Sequence, residues 1–180
     1  MRRRLALAAA AAAVALLVAA GCSGGGGSSS GTTTTTAKPV VLRLDLIPAA
    51  VAAVEAARGG PQQYTEINAF DQGVNLFVAT GDGNELAYVY RDGTGLEAPA
   101  APQPASGSAF ATTGVALDTG ARLPTDVTGR LPGSRPVTVS LEQRPDSGLV
   151  WDVSVIGAKG SPLEVLYTPQ GALLSVIAAQ

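Results

Sequence analysis

Apolar and polar positions change rhythm three times along the chain. Leu5 to Ala20 is one unbroken apolar, Ala-rich run; residues 23–37 are Ser, Gly and Thr with one Ala; beyond residue 38 the pattern breaks into short periodic blocks. In the first block, LIPAAVAAVEAARGGP, Ile47, Val51 and Val54 fall at i, i+4 and i+7 on one face while Glu55 and Arg58 fall off it, which predicts a helix of about three turns. Pro48 in the first turn and Gly59 just past the end are its start and stop signals. The next blocks, YTEINAF, GVNLFVA and ELAYVY, alternate or run apolar and are divided by Asp71-Gln72-Gly73 and Gly81-Asp82-Gly83-Asn84. This is the signature of strands joined by hairpin turns. Val40 to Leu44 fits either a lead strand or the start of the helix.

The order then recurs. Ile47-Pro48-x-x-Val51 returns as Leu123-Pro124-x-x-Val127, Pro61 as Pro136 and Gly73 as Gly148, at a spacing of 75 to 76 residues. Val74, Leu76 and Val78 fall opposite Leu149, Trp151 and Val153, so one side-chain parity faces inward in both copies. Gly120, Pro124 and Gly129 make the second helix shorter or broken. A single helix with three strands is too small to bury both faces alone. The expected fold is therefore a two-layer α+β domain in which duplicated units, each a helix plus a three-to-four-stranded antiparallel meander, share one core. The units are residues 38–97 and 109–180, joined by a Pro- and Ala-rich surface crossover at 98–108.

Val89-Tyr90-x-x-x-Thr94-Gly95-Leu96 resembles the strand end of tandem PepSY-like or cystatin-like repeats of exported bacterial proteins. Arg91 stands where that family usually has Asp, and the second copy carries Gln170-Gly171 in place of Thr-Gly. The resemblance implies action by binding, as a propeptide-like inhibitor or an envelope sensor.

At the other end of the chain, Arg2 to Arg4 precede the 16-residue apolar run, which closes on small residues. Charge, apolar middle and small end in that order predict an export signal over residues 1–21, and the run is short of the ~20 residues that span a bilayer. Val18-Ala19-Ala20-Gly21-Cys22 resembles the lipobox of bacterial lipoproteins, with Ala19 where the family favours Leu. The resemblance implies cleavage between Gly21 and Cys22, a diacylglyceryl thioether on Cys22, and membrane lipid as the partner of that residue. Two or more acyl chains hold where one would release, at about 0.8 kcal/mol per buried methylene. Residues 22–37 then form a Gly/Ser/Thr tether, which reaches roughly 20 Å as a random coil. The expected location is the outer face of the cytoplasmic membrane.

Charge and residue types narrow the chemistry. Beyond residue 21 the chain has 9 basic and 14 acidic side chains, a net charge of -5, and no basic cluster to neutralise phosphate, which argues against nucleic acid. With no His and a single Cys, Ser-His-Asp and Cys-His catalysis and His- or Cys-based zinc sites are excluded. No catalytic residue, cofactor or metal is expected. Asp82, Asn84 and Glu85 would offer oxygens to Ca2+, but lack the spaced loop ending in a bidentate Glu and read as turn residues. Lys159 sits between Gly157 and Gly160, where exposure rather than a catalytic, desolvated setting is expected. Asp and Glu are scattered over turns and polar faces. Trp151 falls on the apolar parity of its strand, as a core residue does; Tyr88 and Tyr90 share a strand face and are the best candidates for an exposed recognition patch, although core or cross-strand packing is the more ordinary reading of such a pair. The leading expectation is a non-enzymatic module binding an envelope protein or wall component. The alternative is a carrier of an apolar ligand in a cavity between sheet and helices, given 46% hydrophobic residues. An enzyme restricted to Ser, Lys, Asp or Glu is the third.

Overall fold

Ile47, Val51 and Val54 meet a sheet whose order is set by antiparallel pairing, in a computed structural model that describes residues 41–178. The expected signal, its cleavage between Gly21 and Cys22, the acylated Cys22 and the tether lie outside the described residues. A 3-10 turn, Leu44–Leu46, runs directly into helix α1, Ile47–Arg58, so the segment before the helix is neither a strand nor α-helix. Gly59 ends α1 at φ +81°, a left-handed cap that glycine adopts without a Cβ penalty.

Strands β1 (Gln63–Phe70), β2 (Gly73–Ala79) and β3 (Asn84–Arg91) follow as a meander, with two-residue pairings β4 (Gly95–Leu96) before the crossover, β5 (Gln103–Pro104) within it and β6 (Phe110–Ala111) after it. A second 3-10 turn, Leu117–Arg122, leads into α2, Leu123–Arg130. Then come β7 (Arg135–Arg144), β8 (Gly148–Ile156), β9 (Pro162–Tyr167) and β10 (Leu173–Ala178). The fold is α+β: one ten-stranded sheet in the order β10-β9-β8-β7-β1-β2-β3-β4, with β5 on β3 and β6 on β1. Its middle is the antiparallel pair β1 and β7, in which Ile67 faces Leu141 and Ala69 faces Val139.

Alternation makes one face apolar. Ile67, Val74, Leu76, Leu141, Trp151, Val153 and Val165 join Ile47, Val51 and Val54 of α1 and Leu123 and Val127 of α2 in one core. Each fully buried side chain of this size contributes about 1.5–3 kcal/mol. Gly120 lets the 3-10 turn before α2 sit close on the sheet: a Cβ there would stand 3.1 Å from Cη2 of Trp151, so the indole would have to give way. The helices pack over β2, β4, β7 and β8. Among the described residues no helix is long and apolar enough to cross a membrane.

Candidate functional site

The two ends of the sheet are treated differently by the chain. Beside β3, β4 and the crossover after it supply a broken extra strand: Leu96 pairs with Tyr90, Glu97 N donates to Val89 O (2.9 Å), Ala100 N to Ala87 O (3.0 Å), and Gln103 pairs with Glu85. Pro99, Pro102 and Pro104 lie in this cover, and prolines present no further N–H to a strand outside.

Glu85 fixes the cover in place. Its buried carboxylate accepts hydrogen bonds from Thr65 Oγ1 (2.5 Å), Gln103 Nε2 (2.9 Å), and the backbone N (3.1 Å) and Oγ (3.2 Å) of Ser106. Burial alone would raise its pKa; the donors outweigh burial and hold it below the ordinary glutamate value.

At the other end, β10 pairs with β9 on one side and has no described strand on the other. Leu173, Leu174, Val176 and Ile177 are 37%, 49%, 43% and 40% exposed, four of the six exposed large apolar residues among those described. From Thr168 to Ala178 there is no charged residue and one Pro, Pro169, which precedes the strand. Among the described residues, a bulge at Leu174 is what blunts this edge.

On the face away from the helices, Arg144 of β7 reaches across the next two strands. Its Nε donates to Glu142 (2.6 Å), Nη2 to Asp152 of β8 (2.5 Å) and Nη1 to Glu164 of β9 (2.9 Å). The carboxylates read as scattered along the chain are therefore three around one guanidinium, because cross-strand neighbours are distant in sequence. Asp152 has only 7% of its side chain exposed, and its Oδ1 has no hydrogen-bond partner. Burial pushes its pKa up to about 6; Arg144 pulls down while Glu164 and Glu142 push up. Burial would lower the Arg144 pKa, but its bonds to Glu142 and Glu164 and the Asp152 charge raise it. A cleft of about 400 Å3 lined by Glu142, Arg144, Pro145, Leu166, Ser175 and Ile177 joins this cluster to β10. Among the described residues no group of three or more acidic or Cys side chains is arranged to hold a metal.

The other residues singled out in the sequence fall as follows. Tyr88 is 6% exposed, and Tyr90 packs against the same core; the exposed recognition patch is corrected to a core-facing pair, because both share the inward parity of Leu86 and face Leu76 and Val74 of β2. Asp82 accepts from Thr80 Oγ1 and from Asn84 N and shapes the hairpin, while Glu85 turns to the crossover, so Asp82, Asn84 and Glu85 do not converge on one point. Lys159 is exposed in its turn. Trp151 is buried, with Nε1 donating to Pro169 O at 3.2 Å. An apolar groove of about 470 Å3 is lined by Val41 and Leu44 before α1, Pro124 and Thr128 of α2, and Arg135 and Pro136 of β7. The open β10 edge and the Arg144 cluster were not singled out from sequence; the uncharged run after Pro169-Gln170-Gly171 was the available signal for the first. Comparison with protein-family models, with curated proteins and with solved structures finds no match for this chain.

Proposed function

We propose that this protein is an extracytoplasmic lipoprotein, anchored through acylated Cys22, that acts as a non-enzymatic binding module of the cell envelope and takes an extended partner strand on β10. The observation that carries the reading is the uncharged, apolar β10 edge, unpaired among the described residues, on a sheet whose opposite edge is covered by its own chain. Strand addition uses such an edge, with main-chain hydrogen bonds giving affinity and alternate side chains giving selectivity. The module is an internal duplication on this reading. Support comes from the shared order of 3-10 turn, helix with Pro at its second position, and strands, and from a sheet order that runs outward symmetrically from β1 and β7.

Two substitutions test the reading. Cys22→Ala is expected to shift the protein from the membrane to the soluble fraction. Val176→Lys is expected to abolish crosslinks formed in the native envelope while leaving the membrane fraction unchanged. A Cys22→Ala protein still held in the membrane, or crosslinks indifferent to Val176→Lys, would remove the anchor or the binding edge respectively.

The carrier is the second reading, supported by the apolar groove that α2 and β7 line near Val41. Native protein that carries a lipid in mass spectrometry, lost on filling the groove with Thr128→Trp, would favour it.

A further inference from the structure

We infer that the partner strand on β10 is β10 of a second copy of this chain, paired antiparallel so that two molecules share one continuous sheet. The inference rests on the anchored, edge-binding reading above and adds the partner's identity. An antiparallel pair of identical strands is isologous, so each residue must tolerate its own kind nearby. β10 meets that condition. No charged residue occurs between Thr168 and Ala178, and like charges directly opposite are what destabilise a cross-strand pair. The nearest acid on the partner strand is Glu164, which faces Ile177 and is engaged by Arg144 at 2.9 Å. In the joined sheet the two copies of Glu164 stand three strand spacings apart, about 14 Å, beyond the screening length of about 8 Å at physiological salt. β10 itself offers a strongly charged partner strand no complementary charge; Glu142, Arg144 and Asp146 line the cleft shared with Ser175 and Ile177 on the face away from the helices.

The apolar side chains agree. Leu173 and Val176 share the inward parity of Tyr167 and Val165, yet remain 37% and 43% exposed because β10 lies beyond the strands over which the helices pack. In the antiparallel ladder they meet the corresponding apolar residues of the second copy.

The size of the edge selects the setting. Six residues of β10 give about 20 Å of ladder, whereas stable standard complexes use about 20–30 residues a side. Edge pairing alone is therefore of the weak class and needs a high local concentration. Copies held on one bilayer by identical anchors and tethers of identical length supply that concentration, since confinement raises affinity without new contacts. A second copy is the partner that presents a complementary edge at the same height.

The test uses the full-length lipidated protein in liposomes. The acylated Cys22 carries no free thiol, so Ser175→Cys introduces a single reactive one on β10, and Asp82→Cys introduces one on the β2–β3 turn as a control. Mild oxidation is expected to give disulfide dimers from Ser175→Cys, at least tenfold fewer from Asp82→Cys, and at least tenfold fewer from Ser175→Cys combined with either Val176→Lys or Leu174→Asp. Circular dichroism checks that both charged variants keep the fold, which their exposed positions allow. Monomers throughout, equal dimer from the two thiols, or dimer insensitive to both charges would overturn the inference. Ser175→Cys trapping a different envelope protein in native membranes in place of its own copy would overturn it too, while leaving the binding-edge reading standing. An unmodified Cys22 in the mass of the native protein would sink the anchor reading whichever way the crosslinking falls.

Discussion

Arg144 and Asp152 are joined at 2.5 Å across β7 and β8, and the second oxygen of that carboxylate, Oδ1, is buried without a partner. A carboxylate half-satisfied in this way, with Glu142 and Glu164 on the same guanidinium, is costly to ionise.

The pH dependence follows in sign. The Asp152 pKa rises from about 3.8 to about 6 on folding, so between those values the folded state binds more protons than the unfolded one. The contribution to stability is present at pH 4 and is lost as pH rises through 6. Its size is on the order of 1–3 kcal/mol. Urea unfolding should show the protein more stable at pH 5 than at pH 7, and Asp152→Asn should flatten that slope. Glu85, whose pKa is lowered from the ordinary glutamate value of 4.5, loses its contribution as pH falls below that value, outside the pH 5 to 7 comparison. A protein that loses stability from pH 7 to pH 5, unchanged by Asp152→Asn, would contradict the placement of Asp152.

Glu85→Ala is expected to destabilise by about 2–4 kcal/mol, because Thr65, Gln103 and Ser106 lose a buried ionised acceptor. The sign with pH is opposite to that of Asp152: the depressed pKa makes the Glu85 contribution present above its unfolded value and lost as pH falls through its folded one. Hydrogen exchange should report the loss first at residues 97–106, the strip that covers β3. Protection unchanged there would mean that the crossover is held by other contacts.

Gly73 and Gly148 occupy matching places in the two halves but for different reasons. A Cβ on Gly73 would stand 2.1 Å from the Tyr90 carbonyl oxygen, a backbone atom, whereas Gly148 has open space and is constrained only by φ +71°. Gly148→Ala is expected to cost about 1 kcal/mol. Gly73→Ala should cost at least about 3 kcal/mol, because the β2–β3 register has to give way. Equal thermal shifts for the two would contradict this difference.

The elements with strong local periodicity were legible in the sequence. Ile47, Val51 and Val54 marked α1, and the glycine-bearing turns marked β1 to β3 and β7 to β9. Gly120 was read as a helix weakener; its packing role against Trp151 is a contact across layers that no local pattern carries. Arg144, Asp152 and Glu164 lie on successive strands, so their meeting depends on register across two hairpins. Tyr88 and Tyr90 were legible in principle, since Leu86 on the same parity already marked that face as apolar. The open edge was hidden for another reason: which strand ends a sheet is decided by pairing order, and β1 joining β7 pushes β10 to the outside.

The most direct measurement is hydrogen exchange of the β10 amides that do not pair with β9, in native membranes and in dilute soluble Cys22→Ala protein. Occupied edges give slow exchange in the membrane and fast exchange in solution. Fast exchange at β10 in both settings would show an edge that nothing covers, and would contradict a membrane-anchored module working through that strand.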